Sequence, residues 1–319
     1  MAGFSPPVVS CGPMSTLFSP PVSWLRALAG GILFATSVHA FAAPSESPSA
    51  SASASAEALR ATHQRMKGKL ERSGFGRPIQ LDSLETPGGL QGDIYAVVDH
   101  SLPEISAALK ESSHWCELLK LHVNNRRCRA GTTPQGQDML TLFVVRRYDK
   151  PVDQAFQLPF IYRVANATPE YLSVEMNAAS GPLGTSNYRV TLEAVALDEK
   201  KSFLHFGYSY DHNMMVRMAT QAYLATFGRN KVGFTVVGKE VDGQPEYIRG
   251  ARGLVERNAM RYFLTLDTYL SSEAGAPAER RERSWFAAAE QYPRQLHEIE
   301  LETYLAVKRE DRERDGTKR

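Results

Sequence analysis

The chain has 319 residues, 43% of them hydrophobic and 23% charged, with a formal net charge of +2. That is an ordinary globular composition, which excludes a disordered or collagen-like chain, and the near-neutral balance argues against a dedicated nucleic-acid binder. A mean hydropathy of −0.32 and the lack of any apolar run of about 18 residues beyond residue 43 exclude a multi-spanning membrane protein, and the length allows about two domains.

Residues 1–43 are expected to be a signal peptide. Ala27–Val38 is an apolar stretch behind Arg26, and small residues between Val38 and Ala43 sit at cleavage spacing. This is the three-part build of a secretory signal, too short for a spanning helix. An uncleaved anchor is the alternative, and a start at Met14 would shorten the long segment before the apolar core. The expected location is periplasmic or secreted. Cleavage removes Cys11 and leaves Cys116 and Cys128. In an exported protein such a pair is expected to form a disulfide, worth about 3 kcal/mol in the chain-entropy model; two buried free thiols are the alternative.

Residues 44–58 are a Ser/Ala-rich, low-complexity stretch, read as a flexible linker. Residues 59–91 form a basic, helical lead-in. In its helix, near 57–72, Arg60, Arg65, Lys67, Lys69 and Arg72 stand beside a thin apolar side of Leu59, Met66 and Leu70. The basic residues either make peripheral contact with an anionic membrane or face solvent.

A ligand-binding domain is expected over 92–270. Residues 93–98 read as a strand, and Ser101 with Pro103 signals a helix start. The spacing of Ile105, Leu109, Ser112, Cys116 and Leu119 predicts one helix with a buried side. A hairpin follows, near 122–130 and 138–148, then strands at 160–165, 171–176, 188–197 and 202–210 separated by turns, which implies a mostly antiparallel sheet. Alternation puts Phe160, Tyr162, Val164, Leu172, Val174, Met176, Val190, Leu192, Ala194, Leu204, Phe206, Tyr208 and Tyr210 on its inner face. Helices are predicted at 214–227 and, with apolar i, i+4, i+7 spacing, at 253–270. Residues 271–319 read as a charged tail helix that starts near 284, buries Trp285, Ala289, Tyr292, Leu296 and Ile299, kinks at Pro293 and frays beyond Lys308.

The order of strand, helix, about six antiparallel strands and a long amphipathic helix resembles the START and polyketide-cyclase-like (helix-grip) superfamily. The implied fold is α+β: a curved antiparallel sheet of about seven strands gripping a long C-terminal helix, with an extra helix before it and a tail helix after it. The resemblance implies a carrier of an apolar molecule or, less often, a cyclase- or hydrolase-like enzyme. The expected cavity wall comprises Phe160, Tyr162, Leu172, Val174, Leu192, Phe206, Tyr208, Tyr210, Met215, Met218 and Tyr262. A lipid or other apolar small molecule is the expected partner, and Tyr208, Tyr210, Met214, Met215 and Met218 would give a lipid tail a soft wall.

Between 217 and 261, eight cations face four carboxylates. Guanidinium and ammonium groups suit an anionic head group, and Arg217, Arg229 and Lys231 are the candidates; surface ion pairs are the alternative use. The Gly181–Thr185 loop either brings backbone close to a ligand or makes a tight turn. No GxSxG, HExxH, GxxxxGK or dinucleotide fingerprint is present, and His100, His114, His122, His205 and His212 lack metal-ligand spacing. No catalytic residue, metal or cofactor is expected, and no nucleic acid. An enzyme acting on a hydrophobic substrate, or a cell-envelope interaction protein without ligand, remains the alternative.

Overall fold

A computed structural model describes residues 48–226, 228–273 and 275–316; the expected signal peptide lies outside them. Eight segments of alternating burial pair antiparallel into one sheet. They are β1 (Ile79–Glu85), β2 (Gly89–Val98), β3 (Asn125–Thr132), β4 (Asp138–Val144), β5 (Phe156–Ala167), β6 (Tyr171–Ser180), β7 (Thr185–Ala196) and β8 (Ser202–His212), in the order β1-β2-β8-β7-β6-β5-β4-β3. The extra strand relative to the expected seven is β1, whose Ile79 and Leu81 are buried, so the sheet begins inside the segment read as a helical lead-in.

The helices are α1 (Pro48–Glu71), α2 (Leu102–Leu109), α3 (Ser112–Leu119), α4 (Met214–Ala225), α5 (Gly250–Leu270), α6 (Ala278–Ala289), α7 (Pro293–Leu296) and α8 (Leu301–Gly316); a small hairpin, β9 (Val236–Lys239) and β10 (Pro245–Tyr247), lies between α4 and α5. Among the described residues no helix is long and apolar enough to cross a membrane. The architecture is thus α+β, with a long helix, α5, packed on one face of an antiparallel sheet.

Register explains the inner face. Val164, Val174, Leu192, Phe206 and Ile94 pair in a row across five strands, and Met176, Val190, Tyr208 and Gly92 make the next row. The expected inner-face residues are buried apart from Val164, which is partly buried. Gly92 lets α5 lie close where it crosses β2, since a Cβ there would stand 3.1 Å from Ala259 Cβ and push the helix back by a few tenths of an ångström. Glu256 ties α5 to its surroundings. Its buried carboxylate accepts hydrogen bonds from the Phe234 and Thr235 amides and from the Thr235 and Ser83 hydroxyls, so a charge that would be costly unpaired is fully occupied.

Four expectations change. The Ser/Ala stretch from Pro48 is not a spacer but the first half of α1, and Ala52, Ala56, Leu59 and Leu70 pack on Tyr171, Val195 and Phe203. The small side chains let the helix lie close on the sheet's outer face. The single helix over 101–119 is two. Its start is as expected, with a reciprocal Ser101–Glu104 cap, but it breaks at Lys110–Glu111, and the carbonyl of Leu109 accepts Trp115 Nε1 at 2.8 Å and the Tyr162 hydroxyl at 2.7 Å.

The tail is three helices rather than one kinked helix, with Pro293 opening α7. Over the described residues it stays helical past Lys308, to Gly316. Arg126 on β3 holds Asp311 through Nε at 2.8 and 2.9 Å, and Lys308 Nζ donates to the carbonyls of His122 and Asn125. Trp285, Leu296, Tyr304 and Leu305 join the main core, so the tail docks on this domain. The Cys116–Cys128 disulfide joins α3 to β3, with the two Cα atoms 5.2 Å apart.

Candidate functional site

At the end of the sheet where β7 begins and β8 ends, α4 packs against α5. Asn213 sets the start of α4, its Oδ1 accepting the Val216 amide at 2.9 Å. Beneath α4 is a cavity of about 260 Å³. Val216, Arg217, Thr220 and Gln221 face it from α4, and Ala251, Leu254, Asn258 and Tyr262 from α5. The strands contribute Tyr188, Tyr208, Tyr210 and His212, the 182–185 loop Pro182, Leu183 and Thr185, and the far wall His122, Asn124, Val144 and Leu158.

Four tyrosines dominate the wall. The rings of Tyr188 and Tyr210 stack at 5.2 Å, Tyr208 lies 5.9 Å from Tyr210, and Tyr262 lies 5.5 Å from Tyr208. The loop makes room for them: a Cβ on Gly181 would stand 2.3 Å from the Tyr188 ring. Leu183 holds φ at +61° at the cavity edge, a left-handed conformation that a branched residue adopts only under local constraint. The Thr185 hydroxyl donates to the Pro182 carbonyl, which leaves it to accept the Tyr188 hydroxyl at 2.9 Å. The loop therefore serves the cavity as well as the turn.

The hydroxyls of Tyr208 and Tyr210 have no protein hydrogen-bond partner among the described residues. Burial holds the phenol of Tyr208 far above its ordinary pKa, raises that of Tyr210 strongly, and pushes Tyr262 up to about 12. Burial, reinforced by Arg261, pulls His122 down to about 3. Its Nδ1 accepts the Asn124 amide at 3.1 Å, so Nε2 carries the proton in the neutral ring. At neutral pH these groups offer hydrogen bonds and π faces rather than charge.

Of the expected wall, only Tyr208, Tyr210 and Tyr262 line this cavity. Phe160, Tyr162, Leu172, Val174, Leu192 and Phe206 are buried in the main core, where α2 packs on β6 and β7 and α5 on β8. Met215 and Met218 point the other way, 79% and 64% exposed, because the inward face of α4 is the one carrying residues 216, 217, 220 and 221. Among the head-group candidates, Arg217 reaches the cavity. Lys231 is paired with Glu298 at 2.9 Å, and Arg229 is exposed, its carbonyl accepting Arg249.

The lead-in helix has spent its thin apolar side on the sheet, with Leu59 and Leu70 buried and Met66 partly buried. His205, far from the cavity, bridges Asp93 and Glu193. No group of three or more metal-ligating side chains occurs among the described residues. Residues that sequence reasoning missed are Tyr188, which begins a buried row, His122, His212, Asn258 and the polar pair Thr220 and Gln221.

No family model and no curated protein sequence matches the chain. Among solved structures it is similar to truncated norcoclaurine synthase from Thalictrum flavum, at 14% identity and a TM-score of 0.32 over 46% of this chain and 89% of that one. It is also similar to a START superfamily protein from Mycobacterium smegmatis, at 12% and 0.30 over 44% and 92%. An aromatase/cyclase from Streptomyces sp. R1128 aligns at 10% and 0.32 over 64% and 95%. Likenesses at this level say nothing about ligand or reaction.

Proposed function

We propose that this is an exported protein that binds a small amphipathic molecule in the cavity beneath α4. The observation that carries the reading is the tyrosine wall, in which the Tyr208 and Tyr210 hydroxyls lack protein partners. Aromatic walls with a few convergent polar groups are the usual make-up of small-molecule sites. A cavity of about 150 Å³ accommodates benzene; at about 260 Å³, this one suits one or two rings better than an extended acyl chain. Binding would be driven by apolar burial at about 25 cal/mol per Å², with ring contacts adding about 0.5–1.5 kcal/mol each. Export is supported by the Cys116–Cys128 disulfide, a bond that persists in oxidising compartments.

Differential scanning fluorimetry with 2-naphthol and with palmitate tests the reading. Saturating 2-naphthol at about 100 times its Kd is expected to stabilise the fold by about 2.7 kcal/mol, whereas palmitate leaves the melt unchanged. Stabilisation by palmitate alone would overturn it in favour of a lipid-tail carrier.

A further inference from the structure

Two side chains on different elements are short of partners at the same cavity. Arg217 of α4 keeps Nε buried and without a hydrogen bond, with its nearest carboxylate oxygen, on Glu85, 3.9 Å away. His212, the last residue of β8, keeps Nδ1 buried and equally unbonded. Tyr208 and Tyr210 add two hydroxyls without protein partners, and Asn258 faces the same space. A buried donor such as Arg217 Nε left without an acceptor is costly, and with His212 Nδ1 and the two hydroxyls it gives the cavity a set of polar groups that the described residues leave without partners.

The charge of that acceptor follows from what the wall lacks. No Asp or Glu lines the cavity among the described residues, and Arg217 is its one side chain of fixed charge. Glu85 approaches Arg217 without lining the cavity and beyond hydrogen-bond distance, so the guanidinium is neutralised only loosely. A planar guanidinium is matched best by a carboxylate, and the tyrosine rings around it by an aromatic body.

We infer that the cavity takes a small aromatic carboxylate, its ring system against Tyr188, Tyr208 and Tyr262 and its carboxylate on Arg217. The inference rests on the reading of the cavity as a small-molecule site, and two probes separate the two claims. They are 2-naphthoate and its neutral isostere 2-naphthamide, titrated calorimetrically into the disulfide-bonded protein. The unsubstituted protein is expected to bind 2-naphthoate at least about tenfold more tightly, the margin of a charge-assisted hydrogen bond.

Arg217→Met is expected to erase that preference and leave 2-naphthamide within about twofold. Glu85→Gln, by freeing Arg217, is expected to tighten 2-naphthoate several-fold without changing 2-naphthamide, a gain that misfolding does not produce. Equal affinity for the two probes, or a preference that survives Arg217→Met, overturns the carboxylate assignment while the small-molecule site stands. Failure of both probes to bind overturns both.

Discussion

Two tryptophan substitutions distinguish a cavity under α4 from one running along the sheet. Leu192 is fully buried and sits in register between Val174 and Phe206, with α2 over its strand. An indole there has no void to enter, and overpacking of this kind costs about 1–3 kcal/mol. For a domain of this size the melting temperature would fall by about 2–4 °C per kcal/mol, so Leu192→Trp should melt about 2–12 °C lower and still bind 2-naphthol. Thr220 lies on the cavity side of α4. Thr220→Trp places its ring in a space of about 260 Å³, and should abolish 2-naphthol binding while changing the melting temperature by no more than about 2 °C. Paired thermal melts and calorimetry on the two variants read both effects. An unshifted melt for Leu192→Trp together with lost binding would refute this placement of the cavity.

Other expectations concern the scaffold. Burial opposes the charge on His205, but its hydrogen bonds to Asp93 and Glu193 outweigh that and lift its pKa to about 9. Because the folded value exceeds the unfolded one, the stabilisation, on the order of 3 kcal/mol, is complete below about pH 6.5 and lost as pH rises through about 9. Melts at pH 6 and 9.5 should show the loss in the unsubstituted protein and not in His205→Gln; identical slopes would refute it. Cys128→Ala should lower stability by about 3 kcal/mol, seen as a melt about 6–12 °C lower, and an unchanged melt would remove the disulfide's role. N-terminal sequencing of exported material should begin near Phe41 or Pro44, and an intact N-terminus in the cytosol would refute export.

The sheet was legible because each strand buries one face, and period-two alternation survives in the residues themselves. Leu172, Val174 and Met176 show it, as do Leu204, Phe206 and Tyr208. β1 shows it only as Ile79 and Leu81 before the pattern turns polar, and a basic neighbouring helix draws attention away from it. The break between α2 and α3 was hidden for a different reason. Two short helices that bury the same side continue the apolar spacing of one, and the interruption matters only to backbone groups such as the Leu109 carbonyl, which takes up Trp115 and Tyr162. The docked tail was illegible because its anchors are charges. Lys308 and Asp311 read as solvated until β3 supplies Arg126 and the Asn125 carbonyl, and the turn before it the His122 carbonyl.

The rule that apolar faces point inward does not lead to the cavity beneath α4. On α4 the arrangement is reversed, with Met214, Met215 and Met218 exposed and Val216, Arg217, Thr220 and Gln221 toward the cavity. In a lipid tunnel the methionines would gain by turning in, since each buried CH₂ is worth about 0.8 kcal/mol. Asn213 fixes the start of the helix through its cap on Val216, and Arg217, four residues further on, then faces the cavity. The inverted face is therefore itself a statement about the contents. An inner surface with a guanidinium, a hydroxyl and an amide beside the phenols of Tyr208 and Tyr210 is matched by a molecule that carries hydrogen-bond acceptors on an aromatic body, and a hydrocarbon chain would leave the two buried phenols without an acceptor.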